Sequence, residues 1–262
     1  MTPLAAFEAS FARAEHLLKL YSVICDTRER GIRSDWAAAF KELMRWPDRE
    51  QIVRIDGEDR NSLLILRAAA GIDRDKFAHD YTSELLRASV VAAVSAIDRL
   101  MHDSVVKYSW KILRRKEGKI PRELAKLAIS VVDARKALEH LRKDSRARPG
   151  NLIKAAIQQK LHREFTFQSP DAIQRAGAML GIKDFWAKVA TKMPVGTTLE
   201  GVTNQLREIS ARRNQIVHEA DLVVTRRNQA SLRDISPTQA GEWVAWIGTL
   251  GRAINGVIED TV

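Results

Sequence analysis

The chain is poor in residues that would staple it, break it or hold it in a bilayer. One cysteine, Cys25, stands among 262 residues, so no intramolecular disulfide can form and no oxidising compartment is implied. Beside an apolar run, that cysteine reads as a small core residue. With only 13 Gly and 7 Pro, and with Leu, Ala, Arg, Glu and Lys frequent, the composition favours helices over strands. The longest apolar run, "ASVVAAVSAI" at 88–97, is about half of the roughly 20 residues that a membrane-spanning helix needs. Glu8, Arg13 and Glu15 interrupt the first twenty residues, which therefore lack the apolar core of a signal peptide. A cytoplasmic protein is expected. Acidic residues are also in deficit. Against 43 Lys and Arg stand 33 Asp and Glu, and the formal charge of +10 points to polyanionic partners without informing the fold.

Sites for metals and cofactors are equally scarce. His16, His79, His140 and His162 lie apart from Cys25 and from close carboxylates, so no metal site is expected. Neither a Gly-rich phosphate loop nor a Gly-x-Ser-x-Gly elbow occurs, and no cofactor is called for. The six tryptophans, at 36, 46, 110, 186, 243 and 246, fall at helical spacing with Leu and Ile and read as core. His102, in "LMHDSV", reads as a hydrogen-bonded histidine on the flank of a core helix. The basic runs Lys111 to Lys119 and Arg142 to Arg148 are either solvated helix ends or RNA contacts.

What is present is helical periodicity nearly throughout. Helices are expected from Leu4 to Cys25 and from Ser34 to Trp46, the second stopped by Pro47. "QIVRIDG" at 51–57 is the nearest thing to a strand, though Asp56-Gly57 reads simply as a turn, and "RNSLLILRAAAG" at 60–71 reads as a short helix. From Thr82 onward, Val90, Val91, Val94, Ile97, Met101 and Val105 form one apolar stripe, followed by a basic segment from Lys107. Further helices are expected from Pro121 to about Arg142, from Asn151, from Ser169-Pro170 and from Thr203 to Ala220. A last one, after Pro237, carries Trp243, Trp246, Ile247, Leu250, Ile254 and Val257 on one face. "RKDSRARPGNL" is the linker candidate.

The sharpest feature is "EISARRNQIVHEADLVV" at 208–224. On a helical wheel Leu206, Ile209, Ile216, Val217 and Ala220 fall within about 100° of one another, with Arg213 projecting into the middle of that stripe. Arg207, Asn214 and His218 cluster on the adjoining edge. A guanidinium on an apolar face is costly unless an anion or hydrogen-bonding partner meets it. The residue types suit RNA chemistry. Histidine moves protons near neutrality, arginine's planar fork matches phosphate oxygens, and asparagine can steady the imidazole or touch phosphate. Together they suffice for RNA cleavage by attack of the 2'-hydroxyl. Arg followed five residues later by His occurs three times here, at Arg74/His79, Arg135/His140 and Arg213/His218. Only the third has Asn after the Arg.

"RRNQIVHEAD" resembles the Arg-Asn-x-x-x-His signature of HEPN domains, most closely the RiboL-PSP-HEPN branch. "LLRASVVAAVSAIDRLMHDSV" at 85–105 looks like the first helix of that branch. "SPDAIQRAGAMLGIKDFWAKVA" at 169–190 is similar to its middle segment, and the Trp-containing last helix fits its end. The likeness covers about residues 80–262, leaving residues 1–79 as an N-terminal helical segment of unassigned role. It implies an all-α, HEPN-like antiparallel helical bundle that pairs as a homodimer with a composite active site. It also implies a metal-independent endoribonuclease that leaves a cyclic phosphate, as in toxin–antitoxin and anti-phage defence systems, acting on tRNA or mRNA and open to control by an antitoxin. Carried over by position, Arg213 stabilises the phosphate, His218 is the acid and base, and Asn214 positions them. The helical wheel adds Arg207 as a second phosphate contact; Arg212, which the wheel puts on the solvated face, is a further candidate substrate contact, and Asp98, beside the apolar stripe of the earlier helix, is a support paired with Arg213. Two alternatives stay open, a catalytically inactive HEPN module that binds RNA, a nucleotide or a protein, and a helical adaptor without RNA affinity.

Overall fold

Four helices start where a hydroxyl side chain can accept a free N–H of the first turn, and three of them place Pro at the first helical position. Thr2, Ser169, Thr198 and Ser236 accept from the backbone N–H of Ala5, Ala172, Gly201 and Gln239. In the computed structural model, which describes residues 1–26, 31–114, 119–127, 149–224 and 230–262 together with 132, 135 and 139, these caps open α1, α6, α8 and α9. In chain order the elements are α1 (Pro3–Ile24), α2 (Ser34–Met44), β1 (Ile52–Asp56), β2 (Leu63–Arg67), α3 (His79–Leu113), α4 (Arg122–Ala125) and α5 (Pro149–Glu164). They continue with α6 (Pro170–Met179), α7 (Phe185–Lys192), α8 (Leu199–His218), β3 (Leu222–Val224), β4 (Ala230–Leu232) and α9 (Pro237–Thr261). The fold is all-α, with two small antiparallel hairpins beside the helices.

At 35 residues α3 is the axis of the molecule. Its expected stripe is buried except for the half-buried Val91, and Leu86, Ala93, Ala96 and Leu100 are buried as well, because α1, α5, α8 and α9 all pack on it. The helix begins three residues before Thr82 and runs through the "KYSWKIL" stretch expected to leave it. The Thr82 and Ser83 hydroxyls donate to the Ala78 and Asp80 carbonyls inside the first turns. Among the described residues no helix is long and apolar enough to cross a membrane.

The segment before α3 is not uniform. Phe7 and Phe11 of α1 stack at 5.5 Å and lie in the main core. They press on α9 at two glycines: a Cβ on Gly251 would sit 2.2 Å from the Phe7 ring, and one on Gly248 would sit 2.6 Å from Phe11. No bulkier residue fits there without moving a ring held in a close-packed interior. By contrast, α2 has no buried residue.

The strand-like run before Asp56-Gly57 is a strand, and residues 63–67 form its partner instead of the helix expected of them. Ile52–Asp56 and Leu63–Arg67 pair in register from Ile52 opposite Arg67 to Asp56 opposite Leu63. The turn decides it. Asp59 accepts from the Asn61 N–H and the Ser62 hydroxyl, and the Gly57 N–H closes on the Ser62 carbonyl at 3.0 Å. A short apolar run such as "LLIL" is compatible with either state, and only its flanks separate them. The motif helix also starts earlier than Thr203, because Thr198 caps it and draws Leu199–Gly201 into its first turn. Of the helix expected from Pro121, Arg122–Ala125 is described; most of the remainder, His140 and residues 142–148 of the linker candidate lie outside the described residues, while its last four residues begin α5.

Candidate functional site

Helix α8 buries Val202, Leu206 and Ile209 against the core, and Ser210 donates to the Gln168 carbonyl at 2.5 Å. Beyond Ser210 the helix emerges. Ile216 is half-buried, Val217 is 45% exposed and Ala220 is exposed, so the apolar face expected to be buried along its whole length is covered only in its first half. The reason is local. After His218 the chain turns through two left-handed residues, Ala220 (φ 50°) and Asp221 (φ 56°), into the β3–β4 hairpin, which leaves the flank of the last turns open.

Arg213, Asn214 and His218 come together at this emerging end. Arg213 is half-buried. Its Nη1 donates to Asn214 Oδ1 at 3.1 Å, and its buried Nε has no hydrogen-bond partner. Asn214 and His218 are exposed, the imidazole making no hydrogen bond among the described residues. Arg207 is exposed and folds back on Asn204, with Nη1–Oδ1 at 2.6 Å. It stands on the same edge, free to swing outward.

Two expected site residues are engaged elsewhere. Arg212 is not presented to a substrate. Its guanidinium lies 2.7 Å from Asp221 Oδ1, and Nη2 donates to Asp221 Oδ2 at 2.9 Å and to the Asp234 carbonyl at 3.0 Å. Its side chain is 11% exposed, and burial lowers its pKa from the ordinary arginine value, Asp221 partly offsetting this and Arg87 and Arg233 adding to it. It remains a cation. The solvated position that the helical wheel assigns to Arg212 is covered because the hairpin folds back along α8.

Asp98 does not pair with Arg213 either. It accepts from the Phe167 N–H and from Gln168 Nε2, and His102 Nε2 lies 3.5 Å away. Burial pushes the Asp98 carboxyl up, but the hydrogen bonds from His102, Phe167 and Gln168 and the His102 charge outweigh it and hold the pKa below the usual value. Its link to the motif helix is indirect. Asp98 fixes residues 167–168, and the Gln168 carbonyl receives Ser210, one turn before Arg213. His102 is buried as expected, stacked on His162 at 4.6 Å with its Nδ1 unpartnered.

Arg87 and Asp221 escaped the reading of the sequence. Arg87 continues the stripe of Val90, Val94 and Ile97 by one step toward the N-terminus, so the argument that singled out Arg213 applies to it equally. Nothing local marks Asp221. Among the described residues no group of three or more His, Cys, Asp or Glu side chains is placed to hold a metal ion. Compared with known proteins, the chain matches no family model, no curated protein and no solved structure.

Proposed function

We propose that the chain is an endoribonuclease that cleaves RNA by attack of a 2'-hydroxyl on the adjacent phosphate, with no metal in the step. The observation that carries this reading is the Arg213 guanidinium, half-buried against Asn214 with an unpartnered Nε, on the same emerging helix end as the exposed His218. A buried donor without an acceptor is a standing cost that a phosphate oxygen can relieve. His218 takes the 2'-hydroxyl proton as the new P–O bond forms. The bond to the 5'-oxygen breaks, a second imidazole protonates the leaving oxygen, and Arg213 meets the charge developing on the phosphorus oxygens. The product is a 2',3'-cyclic phosphate.

The need for two imidazoles favours a homodimer with a composite active site. Support comes from the apolar flank left open beside the motif: Val217, Leu222 and Leu232 are 45%, 41% and 44% exposed. The +10 charge suits tRNA or mRNA as substrate and an acidic regulatory partner such as an antitoxin; a role as toxin or anti-phage effector follows from the HEPN resemblance of the motif. A second reading, a catalytically inactive module that binds RNA, a nucleotide or a protein, draws on the absence of any described partner orienting the His218 ring.

Purified protein incubated with tRNA and mRNA in EDTA tests both. Cleavage that persists in EDTA and disappears in His218→Ala is the expected result. RNA left intact by the wild-type protein, with binding retained, would sink the enzyme in favour of the binding module.

A further inference from the structure

Helix α8 ends under a constraint that its own sequence does not supply. The Glu219 and Asp221 N–H groups both donate to the Gln215 carbonyl at 3.0 Å, while Ala220 and Asp221 are left-handed and neither is glycine. Such conformations persist only where the surroundings over-determine them. Here the surroundings are ionic. The Asp221 side chain is 1% exposed and lies between two guanidiniums, accepting from Arg87 Nε at 2.6 Å on Oδ2, with Arg212 at 2.7 and 2.9 Å on its two oxygens.

The remaining donors of the pair are also used. Arg87 gives Nη1 to Ser83 at 2.7 Å and to the exposed Glu84 carboxylate at 3.2 Å, and Nη2 to the Arg233 carbonyl at 2.6 Å, and Arg212 reaches the Asp234 carbonyl. The Asp221 carbonyl in turn accepts the Arg233 N–H at 2.8 Å. One carboxylate thus ties α3, α8 and both ends of the β3–β4 hairpin at a single point. Two guanidiniums share this one buried carboxylate, the exposed Glu84 reaching Arg87 only from the surface, so removing Asp221 leaves two buried cations without the counter-ion between them.

We infer that Asp221 is the positioning residue of the Arg213/His218 site, an inference that rests on the function proposed above. Arg212 immediately precedes Arg213, so anchoring Arg212 fixes the rotation of the helix and the direction in which Arg213 projects, about 100° further round. Anchoring Asp221 fixes the helix end three residues after His218. Both motif side chains therefore take their orientation from the same carboxylate, which itself touches no substrate. Arrangements of this kind hold reacting groups to a productive geometry, and small misplacements are costly.

The test is Asp221→Asn, which keeps shape and volume and removes the charge, read by amide exchange and by cleavage kinetics. In the folded variant, exchange at Glu219, Asn at 221 and Arg233 should rise by at least about tenfold as the local bonds open more often. The kcat for RNA cleavage should fall about 100-fold with KM unchanged. Should Asp221→Asn fail to fold, Arg87→Lys keeps the cation and loses the fork, and the same two shifts are expected in smaller size. Unchanged exchange overturns the clamp. Raised exchange with unchanged kcat overturns the positioning role. A wild-type protein that cleaves no RNA overturns the functional reading instead, and the exchange result still decides the clamp.

Discussion

The longer hairpin, β1–β2, is held by one buried aliphatic side chain and a rim of partly exposed polar contacts, while the shorter one, β3–β4, is held by buried ions. In the first, Arg54 pairs with Asp56 two residues away, Arg67 pairs with Glu50, and Lys19 of α1 reaches Asp59 at 2.9 Å. The Lys19 and Ser62 hydrogen bonds hold the Asp59 carboxyl down to about 2. Its single buried large side chain is Ile55, and Gly57 lies against the end of α1, where Ser62 donates to the Val23 carbonyl. In the second, strands of three residues are fixed by the Arg87–Asp221 contact, which spans 134 residues of sequence. A two-stranded hairpin is marginal alone, so what it docks on decides its order. The first is plugged in by an aliphatic side chain and borders an exposed aromatic surface, with Trp36 stacked on Phe40. The second is clamped by charge, next to the candidate site.

That contrast can be broken at either end. The largest effect is expected from Asp221→Ala, which leaves Arg87 and Arg212 buried without their shared carboxylate. Urea denaturation should show a loss of roughly 3–5 kcal/mol, and a loss under 1 kcal/mol would mean that water replaces the ion cluster freely. Next comes Ile55→Ala, expected to cost about 2 kcal/mol through lost burial and the cavity left behind. If the first hairpin instead depended on its ion pairs, this change would be nearly silent.

A smaller effect, visible only as a function of pH, belongs to Asp98, which does for residues 167–168 what Asp221 does for the hairpin. Its folded pKa lies below the unfolded one, so its contribution is present above the ordinary Asp range, near pH 4, and disappears as pH falls through the folded value. Asp98→Asn should therefore flatten the stability loss below about pH 4 in acid titrations followed by circular dichroism; an unchanged slope would show that other carboxylates dominate. The smallest effect is expected from Arg54→Ala. That pair is local and in contact with solvent, and its loss should stay below about 1 kcal/mol.

The helices were legible because their signals are short in sequence. Ser169-Pro170 marks a start that the cap confirms, and the stripes of α3 and α9 are buried as their periodicity implies, except that Val91 and Trp246 are half-buried. Hairpins were not. "LLIL" fits a strand or a helix, and the register of β1–β2 rests on side chains in its turn. Around the motif, Arg213, Asn214 and His218 occupy one helix end as their spacing requires. The burial expected for Val217 and Ala220 assumed a neighbour on that face which the fold does not place there.

Arg212 and Arg213 show where the division falls. Spacing along one helix is a local property, so the sequence alone determined that Arg213 and Asn214 project together and that His218 follows one turn after Asn214. Which arginine stays free was decided by the tertiary structure. That choice depends on a carboxylate arriving from beyond the helix and on Arg87 of α3, 134 residues before it in the chain. Buried charge is stable only where the whole fold converges on it.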